Sequence, residues 1–428
     1  MSINPFDFKN KLSSILSKDP PRNIDSLNSA LSKLLEDAAP MRRRTVKPRP
    51  PAPWLTPQVK AAKQERRKAE RQWKKSGLTV HRDIYRLKHQ FVCNLIKDLK
   101  RKYVNDKIVE SRSSKEIFNI CNDLLGKNKP KSLPNNFPPD KIPDVLNDFF
   151  VEKVDKIRQE LDAKKSEPFY HEFKGDVLKY YFEPVTEQVV RNIILDSSKT
   201  SCDLDTLPSN LFIECLDLLL PYITNCINDS LESGSVPCCF KEAIVRPLLK
   251  KNDLDENLLK NYRPVSNLPF LSKVLEKVVL IQIESHLNKN RLKEIYQSAY
   301  KKKHSTETAL LKVHSDLLEA TDSGQVSILA LLDLSAAFNT LDHQILLRRL
   351  EVSFGFKNNA LKWVASYLEN RTQTVSAGGY HSKKSFLRYG VPQGSVLGPI
   401  LFSLYSQPIS NVLSKHGFRY HLYADDTQ

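Results

Sequence analysis

Apolar residues recur at helical spacing through the first third of the chain, which predicts a largely helical beginning. The stretch NIDSLNSALSKLLEDA predicts a short amphipathic helix within residues 1–40. Another helix is predicted from Gln58 to Gly77, because glycine often ends helices. The thin apolar stripe of this second helix consists of Val59, Ala62, Ala69 and Trp73.

The next segment, HRDIYRLKHQFVCNLIKDLKRKY, has the same spacing and predicts the second arm of a helical hairpin. Its apolar stripe consists of Ile84, Leu87, Phe91, Leu95 and Leu99. Two further helices are predicted in SKEIFNICNDLLG and DVLNDFFVEKVDKIRQELDA, the latter starting on Asp144 as its cap. Proline-rich stretches between these helices cannot form core elements.

The pattern changes after about residue 200, where short apolar strands begin to alternate with helices. Eight of the twelve glycines lie between Gly324 and Gly417, so tight turns are expected in this half. Ile328–Leu332 is apolar on both alternating faces, which predicts a strand buried on both sides. A second strand is predicted in RYHLYADD, and an α/β or α+β domain follows from this pattern.

Charge adds a class of partner to this picture. The net charge of +17 points to a polyanion or an acidic membrane surface. Between Arg42 and Lys102, 20 Lys and Arg face only four Asp and Glu, so this segment alone carries +16. A solvated helix surface is the simple explanation, but this excess favours phosphate neutralisation. The candidate nucleic-acid contacts here are Arg66, Arg67, Lys74 and Lys75.

Compartment and redox state follow from what the sequence does not contain. The start MSINPFDFKNKL has no signal-peptide layout, and no run approaches the roughly 18 apolar residues of a membrane helix. We therefore expect a soluble, intracellular chain with no membrane partner. The seven cysteines are scattered without CxxC spacing, so we expect them to be reduced and mostly buried.

Two carboxylate positions follow the predicted strands. Asp333 comes directly after Ile328–Leu332, and a carboxylate leaving a buried strand is costly unless something compensates it. A helix cap by Asp333 or Ser335 is one compensation, and a divalent cation is the other. Asp425 and Asp426 follow the second strand, where a polar hairpin turn is the alternative to a metal site. If the strands are neighbours, their carboxylates could hold two Mg²⁺ ions about 3.5–4 Å apart.

A loop rich in glycine and proline lies between these acids, in YGVPQGSVLGPILFSLY. Its glycines let the backbone approach a ligand closely, and Gln393 offers both a donor and an acceptor. A helix is predicted from Ile400. Alone this motif is typical of an ordinary turn before a helix. Its position in the sequence between the two acidic strand ends favours a functional role.

The order LLDLSAAF, GVPQGSVLGP, YADD resembles the successive palm motifs of a reverse transcriptase of the jockey-like, non-LTR retrotransposon kind. Further blocks resemble the same family in the same order, so the likeness covers most of the chain from about residue 40. These blocks are PAPWLTPQVKAAKQERRKAERQW, VPCCFKEAIVRPLLKK, NYRPVSNLPFLSKVLEKVV, YQSAYKKKHSTETALL and SYLENRTQTV.

The resemblance implies an α+β fold, with a basic helical N-terminal region followed by the fingers and part of the palm of a right-hand polymerase. Asp333, Asp425 and Asp426 would be catalytic and would hold two Mg²⁺ ions. The implied nucleotide-binding residues are Phe338 (at the steric gate, or a residue facing the core), Gln393, Gly394 and Lys301. The implied phosphate contacts in the fingers are Lys250, Lys251 and Arg263, with Lys302 and Lys303 beside Lys301.

The implied partners are an RNA template, a DNA primer and deoxynucleotides, in the nucleus or a cytoplasmic ribonucleoprotein. The predicted organisation is an N-terminal segment and linker (1–57), a basic helical hairpin region (58–129), a proline-rich linker (130–143), a helical region (144–235) and a reverse transcriptase domain (236–428). A chain cut at both ends is also expected, without an endonuclease, a thumb or the return strand of the acidic hairpin.

Departures from the family pattern affect three places. Asn339 stands where the family usually has Asp, Lys301 stands where an arginine is expected, and SQPIS is unlike the family's usual segment. Because Lys lacks the planar fork of Arg, nucleotide contact is expected to weaken. Three functions follow: an RNA-directed DNA polymerase, inactive in this copy because of the expected cut; a non-catalytic module binding RNA or single-stranded DNA; or a non-functional remnant of an element.

Overall fold

A computed structural model describes residues 4–40, 52–111, 114–125, 133–164, 167–197, 202–251 and 253–428. The chain divides into two compact units, one of residues 42–132 and one of residues 1–41 with 133–428. Most of the predicted Arg/Pro-rich linker (41–51) and the start of the second linker (130–132) lie outside the described residues.

The described helices and strands are named in chain order. The helices are α1 (Pro5–Lys18), α2 (Ile24–Ala38), α3 (Pro57–Ser76), α4 (Thr79–Glu110), α5 (Ser114–Leu124), α6 (Ile142–Ala163), α7 (Glu187–Leu195), α8 (Ser209–Glu214), α9 (Leu216–Ser233), α10 (Phe270–Lys289), α11 (Thr306–Asp322), α12 (His343–Val352), α13 (Asn358–Leu368), α14 (Gly398–Ser406) and α15 (Pro408–Lys415). The strands are β1 (Glu242–Leu249), β2 (Tyr262–Asn267), β3 (Arg371–Ala377), β4 (Tyr380–His381), β5 (Ser385–Leu387), β6 (Leu422–Tyr423) and β7 (Asp426–Thr427).

The smaller unit is a helical hairpin of α3 and α4 with the short α5. Gly77 ends α3 in the left-handed conformation (φ 66°) and donates its N–H to the Trp73 carbonyl, as the sequence predicts. The predicted stripe on α4 is only partly correct, since Leu87 and Phe91 are exposed and the buried residue is Val92. α3 offers mainly alanine and valine, so it covers only a narrow line of α4.

The larger unit has one main hydrophobic core, around α9, α10 and α13. Trp363 and Tyr367 of α13 stack with ring centroids 5.7 Å apart, and both are almost completely buried. The predicted helix α2 packs into this core together with α1, which the sequence analysis missed. Each fully buried large apolar side chain stabilises the fold by roughly 1.5–3 kcal/mol.

A mixed sheet stands beside this core, in the order β2-β1-β3-β4, with β5 also paired to β3. β1 is antiparallel to β2 and parallel to β3. α6 covers one face by packing Leu146 and Phe150 against Val245 and Val375. The combination of helices and a sheet confirms the predicted mixed class.

Three sequence predictions, two about this unit and one about the cysteines of both units, are wrong. Ile328–Leu332 is not a buried strand, since Ile328 is 94% exposed and only Leu332 pairs with another segment. α6 starts at Ile142, and the Asp144 carboxylate accepts the N–H of Lys383 at 2.8 Å instead of capping the helix. The cysteines are free, but they are not mostly buried, because three of the seven are exposed.

The helix after the acidic strand end also differs from its prediction. Neither Asp333 nor Ser335 caps it; α12 begins at His343, and the Asp342 carboxylate accepts the N–H groups of Gln344 and Ile345. None of the described helices is long and apolar enough to cross a membrane.

Candidate active site around the acidic hairpin

Asp425 and Asp426 lie in a tight hairpin, which we call the acidic hairpin (Leu422–Thr427). Its arms pair Leu422 with Thr427 and Tyr423 with Asp426, and Ala424 and Asp425 form the turn. The predicted strand therefore ends in the expected acids, but the prediction that the return strand is missing is wrong for these first residues. Ala424 has a φ of +56°, a conformation that glycine adopts more readily than alanine.

Asp333 is brought beside the acidic hairpin by one backbone pairing. The N–H of Leu332 donates to the Thr427 carbonyl at 2.8 Å, and the N–H of Thr427 donates to the Leu332 carbonyl at 2.9 Å. This antiparallel bridge is isolated, and Asp333 and Asp426 are the residues that come directly after it on one strand and before it on the other. The two acidic strand ends are therefore neighbours, as the sequence pattern requires for a shared site.

The charges of two neighbouring carboxylates act on Asp425. Burial raises the pKa of Asp425, and the negative charges of Asp426 and Asp333 raise it further. Carboxylate oxygens are the ligands that Mg²⁺ prefers, so the donor chemistry fits a divalent cation that would offset this repulsion. Among the described residues, however, no three His, Cys, Asp or Glu side chains are arranged to hold a metal ion.

A second loop, residues 388–397, presents Gln393 and is fixed to the segment that follows Asp333; we call it the Gln393 loop. The N–H of Gly390 donates to the Leu341 carbonyl at 2.7 Å, and the N–H of Val391 donates to the Phe338 carbonyl at 2.8 Å. The His343 ring lies 2.7 Å from the Gly390 carbonyl. Three contacts thus join the two segments.

The glycines of this loop permit two close approaches. A Cβ on Gly390 would stand 2.6 Å from the backbone of Asn339, and one on Gly394 would stand 2.6 Å from the Ser266 carbonyl oxygen. Both glycines also have positive φ. The glycines predict a close approach of the backbone to a ligand here, whereas these approaches are to the protein itself.

A fully buried carboxylate anchors the far end of the Gln393 loop. Glu276 on α10 accepts the N–H groups of Val396 and Leu397 at 2.7 and 3.0 Å and the hydroxyl of Tyr367 at 3.2 Å. Burial raises the pKa of Glu276, while the nearby Arg371 and these donors offset part of that effect. The sequence does not single out Glu276, because these partners lie 91 to 121 residues away along the chain.

A cavity of about 280 Å³ lies between the Gln393 loop, β2 and α6, and Gln393, Asn339 and Ser266 are among its lining residues. Phe338 does not line it. Its ring packs against Phe402 with centroids 4.8 Å apart and borders the main core. The structure thus places Gln393 at a cavity and Phe338 against the core.

The predicted basic residues lie in separate places. Lys250, Lys251 and Arg263 are exposed near one end of the β1–β2 pair. Lys301 is partly buried and donates to the Glu294 carbonyl at 3.0 Å; burial lowers the pKa of its ammonium group. Arg66, Arg67, Lys74 and Lys75 lie on α3 in the other unit, where Lys74 also pairs with Glu70 at 3.3 Å.

Comparison with known proteins identifies the class. The family model for reverse transcriptase (RNA-dependent DNA polymerase) matches residues 249–428, which contain the acidic hairpin, Asp333 and the Gln393 loop. This part of the chain is therefore similar to that family.

The chain is also similar to polymerases of non-LTR retrotransposons. It is 30% identical over 250 residues to the RNA-directed DNA polymerase from mobile element jockey of Drosophila melanogaster, covering 57% of this chain and 27% of the relative. The jockey polymerase of Drosophila funebris is 30% identical over 232 residues (54% and 25%), and the probable polymerase from transposon X-element of Drosophila melanogaster is 31% identical over 185 residues (43% and 20%). The chain therefore spans about a quarter of the length of these relatives.

Proposed function

We propose that residues 236–428 form the fingers and part of the palm of an RNA-directed DNA polymerase. The observation that carries this proposal is the pairing of Leu332 with Thr427, which sets Asp333 beside the acidic hairpin. The Gln393 loop is hydrogen-bonded to the segment that follows Asp333, and it lines a cavity together with Asn339 of that segment. This arrangement fits a template-bound primer and an incoming deoxynucleotide at one acidic centre.

In this proposal each side chain has a defined role. Asp333, Asp425 and Asp426 hold two Mg²⁺ ions, and the side chain of Gln393 contacts the nucleotide. Such ions would supply positive charge to the transferring phosphate and to the attacking primer hydroxyl. Lys250, Lys251 and Arg263 contact the nucleic-acid backbone.

A finer part of the proposal is that this chain, tested by itself, has little or no activity. Residues 326–331 form no backbone hydrogen bond with the described residues, so Asp333 is positioned by the single pairing at Leu332. Nucleotidyl transfer needs its carboxylates held within about 0.5 Å. One pairing at the end of an exposed segment gives weak support.

Primer extension with Mg²⁺ tests this function, with Asp333→Ala as the control. Incorporation that Asp333→Ala abolishes would support the polymerase and overturn the expectation of inactivity. Incorporation that persists in Asp333→Ala would contradict the role of Asp333. No incorporation by either protein is the result that we expect from this chain alone.

The basic unit favours a second function, binding of RNA or single-stranded DNA. Besides its charge, this unit carries aromatic rings near the basic side chains: Trp73 stacks on Tyr85 with centroids 5.5 Å apart, and the ammonium of Lys100 lies 5.0 Å from the Trp54 ring. Basic grooves with aromatic side chains bind single strands without sequence preference.

Salt dependence of RNA binding tests this second function. Changing Arg66, Arg67, Lys74 and Lys75 to Gln should weaken binding and flatten the slope of log affinity against log salt by about 0.7 for each lost phosphate contact. The matched control changes four exposed cations of the α1–α2 region to Gln: Lys11, Lys18, Arg22 and Lys33. Equal effects of the two quadruple variants would contradict a specific role for α3.

A further inference from the structure

Gln297 makes an unusual set of contacts with the turn of the acidic hairpin. Its side-chain oxygen accepts the N–H of Ala424 at 3.0 Å, and its side-chain nitrogen donates to the Ala424 carbonyl at 3.2 Å. The same oxygen also accepts the N–H of Ala299 at 3.0 Å. One amide group thus satisfies both backbone polar groups of the residue that precedes Asp425.

The segment around Gln297 is itself joined to the hairpin. The N–H of Leu422 donates to the Tyr296 carbonyl and the N–H of Ser298 donates to the Leu422 carbonyl, both at 3.0 Å. The Ser298 hydroxyl lies 2.9 Å from the His421 ring. Because Gln297 is only 5% exposed, water cannot readily replace its contacts. The amide is therefore held at a fixed place beside the turn.

The turn needs such support, because Ala424 has a φ of +56°. A residue with a side chain holds this conformation only where its surroundings determine it. The other contacts of the acidic hairpin are along its arms, whereas Gln297 acts at the tip. Its loss would free the backbone on which the Asp425 carboxylate depends.

We propose that Gln297 is a positioning residue, which fixes the Ala424 backbone so that the Asp425 carboxylate points toward Asp333. The role in metal binding and catalysis rests on the proposed polymerase function. The structural part, that the amide of Gln297 determines the conformation of the turn, stands independently of that function.

The chain provides a matched control for this contact. Gln282 on α10 accepts the N–H of Glu183 at 2.7 Å and donates to the Glu183 carbonyl at 2.8 Å, so it clamps one residue's backbone in the same way. Neither Gln282 nor Glu183 belongs to the acidic hairpin. Gln282→Leu therefore removes equivalent hydrogen bonds without touching the turn.

Hydrogen exchange and Mn²⁺ binding, followed by electron paramagnetic resonance, test the proposal on the full chain. In Gln297→Leu, the amides of residues 421–428 should exchange at least about tenfold faster, and Mn²⁺ should bind about 10- to 100-fold more weakly, the usual effect of removing a group that orients a ligand. Gln282→Leu should leave both quantities within about twofold. Gln297→Glu, which keeps the acceptor but loses the donor, should give an intermediate result even if the leucine variant folds poorly.

The proposal is overturned if Gln297→Leu and Gln282→Leu have equal effects on hydrogen exchange and on Mn²⁺ binding, whether those effects are small or large. Absence of Mn²⁺ binding by the unaltered chain would contradict the proposed function and the metal-related role of Gln297. The exchange comparison would still decide whether Gln297 fixes the turn. If primer extension is detectable, Gln297→Leu should lower kcat and leave the KM for the template-primer unchanged.

Discussion

Two segments carry residues of the proposed active site, and the structure supports them very differently. The Gln393 loop is joined to residues 338–343, to Ser266 and to the buried carboxylate of Glu276. The segment of residues 324–335, which presents Asp333, is exposed and has one backbone pairing with the hairpin. Both segments contain motifs that resemble the family, yet only one is built into the core.

The difference shows that a motif can be recognisable in the sequence without being held in place by the fold. The Gln393 loop is rigid in this chain because its polar groups are satisfied by buried partners, and leaving such partners unpaired is costly. The Asp333 segment is held to the acidic hairpin by backbone pairing, and among the described residues a single one, Leu332, makes that pairing. Its side of the proposed active site is therefore the weaker one.

The largest predicted loss of stability comes from removing Glu276, the buried anchor of the Gln393 loop. Glu276→Ala should lower the free energy of unfolding by about 3–5 kcal/mol, because it leaves two N–H groups and the Tyr367 hydroxyl without their buried acceptor and removes the negative charge near Arg371. Urea unfolding measures this value. Glu284→Ala on the same helix, where Glu284 is partly exposed and 3.5 Å from Lys293, should change it by less than about 0.5 kcal/mol. A loss below about 1 kcal/mol for Glu276→Ala would show that the loop does not depend on this anchor.

A matched pair of leucines sharpens the comparison. Leu397 in the Gln393 loop is fully buried, and Leu331 in the Asp333 segment is 69% exposed. We expect Leu397→Ala to cost about 2–5 kcal/mol of stability and Leu331→Ala to cost less than about 0.5 kcal/mol. Thermal and urea unfolding of both variants give the values. Similar losses would mean that the Asp333 segment is packed in solution.

A pair of glycines gives a smaller difference. Gly390 and Gly324 both have positive φ, but only Gly390 has backbone within reach of a new Cβ. Gly324→Ala should cost about 1–2 kcal/mol from conformation alone, and Gly390→Ala about 1–3 kcal/mol more from the clash with Asn339. Equal costs in urea unfolding would indicate that the Gln393 loop can move away from the Asn339 backbone.

The smallest predicted effect depends on pH. Burial lowers the pKa of His343, which contacts the Gly390 carbonyl, below the ordinary value of 6.5. As pH falls through 6.5, the unfolded chain takes up this proton before the folded chain does, so stability decreases; above 6.5 the group has no effect. His343→Gln should reduce this loss of stability between pH 6.5 and 5, measured by urea unfolding at several pH values. An unchanged slope would show that His343 does not titrate as its burial requires.

Local pattern predicted the features that depend on neighbouring residues. The end of α3 at Gly77, the helix α2, a helix beginning within two residues of Ile400, and the strand leading to Asp425 all follow from spacing and residue type. The predicted burial of Ile328–Leu332 was wrong. An apolar run becomes buried only where another layer of the protein covers it, and its own residues do not show whether such a layer exists.

The supporting contacts were also beyond sequence reasoning, for a related reason. Glu276 and Gln297 act on backbone groups more than 100 residues away, and nothing in their own surroundings indicates a partner. The acids and Gln393 were found because they stand in recognisable motifs. Glu276 and Gln297 also stand in blocks that resemble the family, but those blocks do not show which backbone groups the two side chains contact.

Mn²⁺ titration of the unaltered chain, Asp333→Asn and Asp425→Asn most directly tests the claim that the two acidic strand ends form one centre. We predict that either substitution weakens Mn²⁺ binding by at least about tenfold, because both carboxylates serve the same ions. Circular dichroism would confirm that the variants remain folded. Unchanged affinity in Asp333→Asn, with a loss only in Asp425→Asn, would contradict the shared site.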